Sequence, residues 1–436
     1  MSYPSTAKLK RLIDQIARYA ELKHERGSKG IARIISRTER DLKRIEQEIT
    51  RLPESASLSR SEPDGLDAIR ALRPPGPRRI WTAWNASVYS DKVTGAFIGR
   101  CAGCILGAPV EMWPVDRMER LARENGDAFP PVDYWSSVPF PDELRYATSK
   151  RSEYTRSHMK GVPVDDDIIY TLLGLLIAET YGLDFTTDDV ARAWIAWLPF
   201  ACTAEEIALN NIRAGISAAR AADKNNPYCE WIGADIRSDP WGYIAAGWPE
   251  KAAGMAYRDA VLSHRRQGVY GAMYFAAVIA AAFTVADPLD ALSIGLTEIP
   301  RNCALAKAVR WALRTAPSIT SWRDARSAVD RAFPGMHQVH TINNACLTIF
   351  GVCLGRYDLT KVIGETVAMG LDNDCTAATA GSITGAVIGA TSIPSHWHQP
   401  FQNTVHSYLT RHKRFTISGI VQHFTRLSRR LYRENL

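Results

Sequence analysis

Leu9, Leu12, Ile16 and Tyr19 recur at three- and four-residue steps, and Ile35, Leu42, Ile45, Ile49 and Leu52 keep the same spacing. That period places each set on one face of a helix. The polar, glycine-bearing ERGSKG between them predicts a turn, so the chain opens as a helical hairpin. Residues 53–79, PESASLSRSEPDGLDAIRALRPPGPRR, lose the period and gather Pro, Ser and Gly. They read as a linker or a strap, with a boundary near residue 80. Beyond it the chain is a succession of Ala- and Leu-rich helical segments broken by Pro and Gly, with no convincing alternation of β-branched residues. The predicted fold is all-α: a multi-helix body over residues 81–436 with an N-terminal helical extension over residues 1–80. One stretch, residues 122–162, is polar, Pro-rich and aromatic, and reads as a long surface loop of the kind that lines sites.

Two stripes of glycine interrupt the helical pattern. In GAFIGRCAGCILGAPVE, Gly95, Gly99, Gly103 and Gly107 are four apart and share a face. Each costs about 1 kcal/mol against alanine inside a helix, so another backbone is expected to approach closely. The second stripe, Gly381, Gly385 and Gly389, lies in the helix that follows GLDNDC. Antiparallel contact of the two stripes would bring Glu111, just past the first, to Asp372 and Asp374, at the start of the second. Arg100 in mid-segment argues against a membrane dimer of the G-x-x-x-G type. The uncharged run VYGAMYFAAVIAAAFTVA is interrupted by Gly271 and Thr284, and a buried core helix is expected there in place of a membrane span.

Composition changes this picture little, with 46% hydrophobic and 23% charged residues as in ordinary globular chains. Charge changes it more. Residues 1–80 hold 18 basic and 11 acidic side chains, and the remainder is balanced at 35 of each, so the extension carries the whole net charge of +7. A basic appendage suits an acidic partner, although a solvated charged helix is the commoner case and nucleic acid is not expected. The eight cysteines sit mostly in apolar stretches, as buried thiols do in a reducing compartment. Cys101 and Cys104 form a C-x-x-C with no second pair at zinc spacing. The first residues, MSYPSTAKLKRLIDQ, lack the apolar core of a secretory signal, and cytoplasmic residence is the expectation.

The candidate chemistry is carboxylate chemistry. PVDDDIIYTLLGLLIAE sets Asp165, Asp166 and Asp167 before a helix that is apolar nearly all round. Alone, such a run caps the helix and favours its dipole by a few tenths to about 1 kcal/mol. Combined with Glu111, Asp372 and Asp374 it would crowd carboxylates around one cleft. Like charges that close raise one another's pKa unless a cation intervenes. Oxygen ligands without a neighbouring His or Cys pair favour Mg²⁺ or Mn²⁺ over Zn²⁺.

GAFIGRCAGCILGAPVE, VDDDIIYTLLGLL and GLDNDCTAATAGSITGA, in that order over more than 300 residues, resemble the ADP-ribosylglycohydrolases. Weaker likenesses are IGADIRSDPWGYIAAGWP, DAVLSHRRQGVYGAMYFAA and HTINNACL. The resemblance implies an all-α hydrolase with two metal ions at the bottom of a cleft. It implies Asp166 and Asp167 as the paired aspartates of a Thr-Asp-Asp element whose Thr is here Asp165. Asp372 and Asp374 match an Asp-x-Asp-Thr element whose ligating Thr is here Cys375. Asp165, Asp166, Asp167, Asp372, Asp374 and Cys375 are therefore the candidate metal ligands. Glu111, which matches the acidic residue near the scissile bond, joins Asp167 and Asp374 as the candidate catalytic residues. Cys375 is a poor ligand for Mg²⁺, and Cys104 stands where an Asp is common, so one ion or two are expected.

His264, Asn344 and Tyr270 are candidate substrate contacts, with Trp241 and Trp248 as stacking surfaces; packing is the alternative for each. The implied activity is Mg²⁺-dependent removal of ADP-ribose from protein side chains, arginine above others. Within this family an immunity role is also implied, in which residues 1–80 bind and block an ADP-ribosyltransferase toxin. The alternative is a non-hydrolytic protein that occludes a partner through the same extension.

Overall fold

The computed structural model describes residues 3–81 and 83–435. Among them the regular structure is helical apart from two short antiparallel pairs, Leu144–Arg145 with Ser149–Lys150 and Thr404–His406 with Arg414–Thr416. This is the all-α class that the absence of alternating runs predicts.

The chain divides into two units between Arg60 and Ser61, with Pro334–Met336 grouped with the first. In the first unit, helices Ala7–Glu25 and Ile31–Thr50 flank a turn in which Gly27 and Gly30 take φ of +70° and +81°. The left-handed region favours glycine, which is why ERGSKG ends one helix and starts the next. Neither helix has a buried residue.

The second unit starts some twenty residues before the boundary near 80 that composition marks. Residues 61–80 are a strap belonging to the body. Glu62, buried, accepts from the Ala304 N–H at 2.7 Å, and the Pro63 and Asp64 carbonyls accept from Tyr270 and Tyr257. Arg73 and Arg78 both donate to the buried Glu298 carboxylate, and the Ile80 N–H reaches the Gly247 carbonyl at 2.7 Å. Pro and Ser richness correctly marks the loss of helix. It does not disclose that buried acids of the body wait for the strap's arginines.

The central contact of the body is between helices Ala86–Gly107 and Asn373–Ile388. The Asn85 side chain caps the first by accepting from Ser87 and Val88 N–H at 3.0 and 3.1 Å. A Cβ on Gly99 would lie 2.1 Å from the Gly381 carbonyl oxygen, and one on Gly385 would lie 2.1 Å from that of Gly95. Gly103 faces Ala377 and Gly107 faces Asp374 in the same way. The falling partner numbers define an antiparallel pair, and only glycine allows this separation. Helix Gln267–Ala282 is buried along its whole length beside this pair. The register leaves the end of one glycine helix against the start of the other, which is where the carboxylates are.

Candidate active site

Three helix ends and one hairpin meet here. Glu111 follows the short turn Ala108–Val110; Asp165 is the N-cap of helix Asp166–Tyr181; Asp372 is the N-cap of Asn373–Ile388. Met112 and Leu371, each one residue from an acid of the site, hold φ of 59° and 62°. The Met112 N–H donates to the Leu371 carbonyl at 3.0 Å, so these two strained backbones brace each other. The hairpin tip repeats the device, with Tyr146 and Ala147 at φ of 49° and 51°. Non-glycine residues in this region cost roughly 1–2 kcal/mol each and gather where a side chain must be aimed.

Two groups of ligand atoms each lie within 4.8 Å of one another: Cys104 with Asp165 and Asp167, and Glu111 with Asp372 and Asp374. A single guanidinium connects them. Arg145 Nη2 is 2.9 Å from Asp165 Oδ2, 3.0 Å from Glu111 Oε2 and 3.7 Å from Asp374 Oδ2. Its Nη1 donates to the Ala108 carbonyl at 2.8 Å. The neighbouring Tyr146 hydroxyl donates to Asp166 Oδ1 at 2.6 Å. Behind Asp167, the fully buried Arg100 donates to the Asp167 carbonyl at 2.6 Å and to Asp239 Oδ2 at 2.6 Å. Asp239 Oδ1 in turn accepts from Tyr243 at 3.0 Å.

Burial dominates the electrostatics. It pushes the Asp372 carboxyl up to about 8, helped by Glu111, and the Asp166 carboxyl up to about 6, helped by Asp165. Asp165, Asp167 and Asp374 also move upward, for burial first. Burial raises the Cys104 and Cys375 thiols well above their ordinary range, with nearby carboxylates adding to it. Thiols held protonated are poor ligands for a hard ion. The Glu111, Asp372 and Asp374 group offers oxygen alone, and Asp374 Oδ1 is buried without a hydrogen-bond partner. A buried carboxylate oxygen left so is costly unless a cation or proton meets it, so this group fits one hard divalent ion.

The structure brings Glu111, Asp165, Asp166, Asp167, Asp372, Asp374 and Cys375 into one neighbourhood, through the contacts above and the mutual influence of their charges. It places the other candidates differently. Tyr270 is buried with its hydroxyl on the Pro63 carbonyl at 2.6 Å, so it serves the strap. His264 is buried, its Nδ1 at 2.8 Å from Ser263 Oγ, beside the Arg237–Asp259 ion pair. Asn344 receives the Asp372 N–H at 3.3 Å and donates to the carbonyls of Gln338 and His340 at 2.8 and 3.0 Å, and so fixes a ligand-bearing backbone. Trp241 stacks on Phe185, and Trp248 carries the Arg79 guanidinium. These two ring contacts are packing.

Three residues escape the motif reading. Arg145 and Tyr146 lie in the loop singled out as a site lining, and no spacing rule marks them. Asp235, 1% exposed, has neither carboxylate oxygen paired. A Cβ on Gly271 would come within 2.1 Å of its Oδ1, which explains the glycine inside an otherwise Ala-rich helix.

With this geometry in hand, comparison with known proteins narrows the chemistry. The family model described as ADP-ribosylglycohydrolase matches residues 85–434, well over half of the chain. No curated protein matches. Among solved structures, an "ADP-ribosylglycohydrolase-related protein complex" aligns with a TM-score of 0.51 at 20% identity, over 80% of this chain and 100% of that one. A likeness at that identity speaks for the fold alone.

Proposed function

The chain belongs to the ADP-ribosylglycohydrolase family; from that premise we propose that it is a glycohydrolase that releases ADP-ribose from modified protein side chains, arginine-linked ones first, with Mg²⁺ as the ion. The observation that carries the reading is the Glu111, Asp372 and Asp374 group with its unpaired Asp374 Oδ1. Cleavage at the anomeric carbon of ribose passes through an oxocarbenium-like state and needs a placed water and a group to move protons. A bound divalent ion would supply Lewis acidity and a template for ribose hydroxyls.

The protein's own residues do the rest. Glu111 is the least buried acid of its group, its side chain 31% exposed, and so is placed to exchange protons with water and leaving group. Asp372 and Asp374 would hold the ion, and Asn344 fixes the Asp372 backbone. The test is release of free ADP-ribose from an Arg-ADP-ribosylated protein, with and without Mg²⁺. We expect metal-dependent release that falls at least ~100-fold in Asp374→Ala, the scale on which removing an electrostatic catalyst acts. Release unchanged in that variant would sink the proposal.

A second role rests on the extension. Leu9, Leu12, Ile13, Tyr19, Ile34, Ile45 and Ile49 are exposed on its two helices, and Leu52 just past the second; apolar residues so placed mark partner sites. We read them as the surface of an immunity protein that blocks an ADP-ribosyltransferase toxin. Since residues 61–80 belong to the body, the binding arm is the first sixty residues. Asp374→Ala protein should still inhibit such a transferase, and adding Leu12→Asp and Ile49→Asp should abolish the inhibition. Inhibition that survives those two charges would refute the docking role.

A further inference from the structure

We infer that Arg145 takes the place of a second divalent cation, so that this chain binds one such ion per molecule. The inference rests on the metal reading above and adds to it a stoichiometry and the residue that sets it.

The two ligand groups differ in what remains of their coordinating capacity. In the Cys104 group, Asp165 Oδ1 accepts the Asp167 N–H at 3.3 Å and Asp165 Oδ2 accepts Arg145 Nη2 at 2.9 Å. Asp167 Oδ1 faces Arg100 Nη2 at 3.4 Å. The third member is a buried thiol. Hard divalent ions take several oxygen ligands, and here three of the four carboxylate oxygens already face two guanidinium groups and an amide, while the third ligand is sulfur. In the Glu111 group every donor is oxygen, the Asp372 side chain makes no capping bond, and Asp374 Oδ1 is buried and unpaired.

Arg145 is built to stay. Its side chain is 14% exposed, with Nη1 on the Ala108 carbonyl and the guanidinium carbon 5.4 and 5.7 Å from the Tyr146 and Tyr154 ring centres. The strained hairpin tip just beyond it aims it inward. A guanidinium cannot lose its charge in a protein. It therefore acts as a permanent monovalent cation between the groups. An ion in the Cys104 group would have to displace it from Asp165 and then sit beside its charge. An ion in the Glu111 group also meets this charge, since Arg145 Nη2 is 3.0 Å from Glu111 Oε2 and 3.7 Å from Asp374 Oδ2, but at Asp374 Oδ1 it has no protein donor to displace.

The test counts Mn²⁺ bound to the full-length chain, by electron paramagnetic resonance and calorimetry, in the natural protein, Arg145→Lys and Arg145→Gln. One ion is expected in the natural protein and in Arg145→Lys, which keeps the charge. Two are expected in Arg145→Gln, with the line broadening of a coupled Mn²⁺ pair. Two ions in the natural protein would overturn the inference and leave the metal reading intact. One ion in Arg145→Gln would overturn it as well, because Arg145 would then not be what excludes the second. Absence of bound Mn²⁺ in the natural protein would remove the metal reading, and this inference with it. Asp374→Ala should lose the single ion; its retention there would place the ion elsewhere and overturn the assignment.

Discussion

Helices Asp166–Tyr181 and Asn373–Ile388 both begin with aspartates, yet the two starts are treated in opposite ways. At the first, Asp165 caps the helix by accepting the Asp167 N–H, Arg145 holds its other oxygen, and Arg100 lies against Asp167. At the second, Asp372 is an N-cap residue whose side chain caps nothing, and Asp374 keeps a buried oxygen with no partner. A buried carboxylate is tolerable when protein donors satisfy it and costly when they do not. One start is therefore largely satisfied by the protein's own donors, while the other keeps a buried oxygen that a ligand can satisfy. Acidic residues at a helix start become informative only when their partners are counted.

The sharpest way to break the comparison is to neutralise one residue on each side and compare signs. Arg100→Met strips a fully buried guanidinium from Asp239 and Asp167. Removing one partner of a buried ion pair costs about 3–5 kcal/mol, so chemical denaturation should show a loss of that size. Asp372→Asn removes a carboxylate that burial and Glu111 push up to about 8. In metal-free buffer near pH 8.5 it should raise stability by about 2 kcal/mol, since a charge without a partner leaves a buried site. It should also abolish the stabilisation by Mg²⁺ that the proposed site predicts for the natural protein. Losses of similar size in both variants would mean that the two starts do the same job.

Much of this contrast was legible before the structure. The four-residue recurrence of glycine is a direct record of backbone contact, because no other residue leaves room at 2.1 Å from a carbonyl oxygen. It yielded the antiparallel register and the meeting of Glu111 with Asp372 and Asp374. The aspartates themselves were found by motif. Their partners were not. Arg145 comes from a loop whose path depends on left-handed Tyr146 and Ala147, and neither residue type predicts that conformation. Asp239 and Asp235 lie in a segment noticed only for its likeness, and their burial follows from tertiary packing that periodicity does not encode. Tyr270 reads from the sequence as a candidate substrate contact; that its hydroxyl holds the Pro63 carbonyl required knowing where the strap runs.

Glu205 lies between the two extremes and gives the gentlest test. It is buried and faces Arg237, but at 3.3 Å, while Asp259 takes the shorter contact with that guanidinium at 2.9 Å. Burial wins over the pull of Arg237 and pushes its carboxyl up to about 7 from an ordinary 4.5. Between those two values the folded chain holds a proton that the unfolded chain has released, so stability falls as pH rises across the window. The contribution is fully present below about pH 4.5 and is lost once pH passes about 7. Its slope is on the order of 1 kcal/mol per pH unit. Glu205→Gln, which stays neutral throughout, should flatten the stability profile by that amount between pH 5 and 7. A profile just as steep in the variant would show that Arg237 satisfies Glu205 fully, and would move it to the side of Asp165.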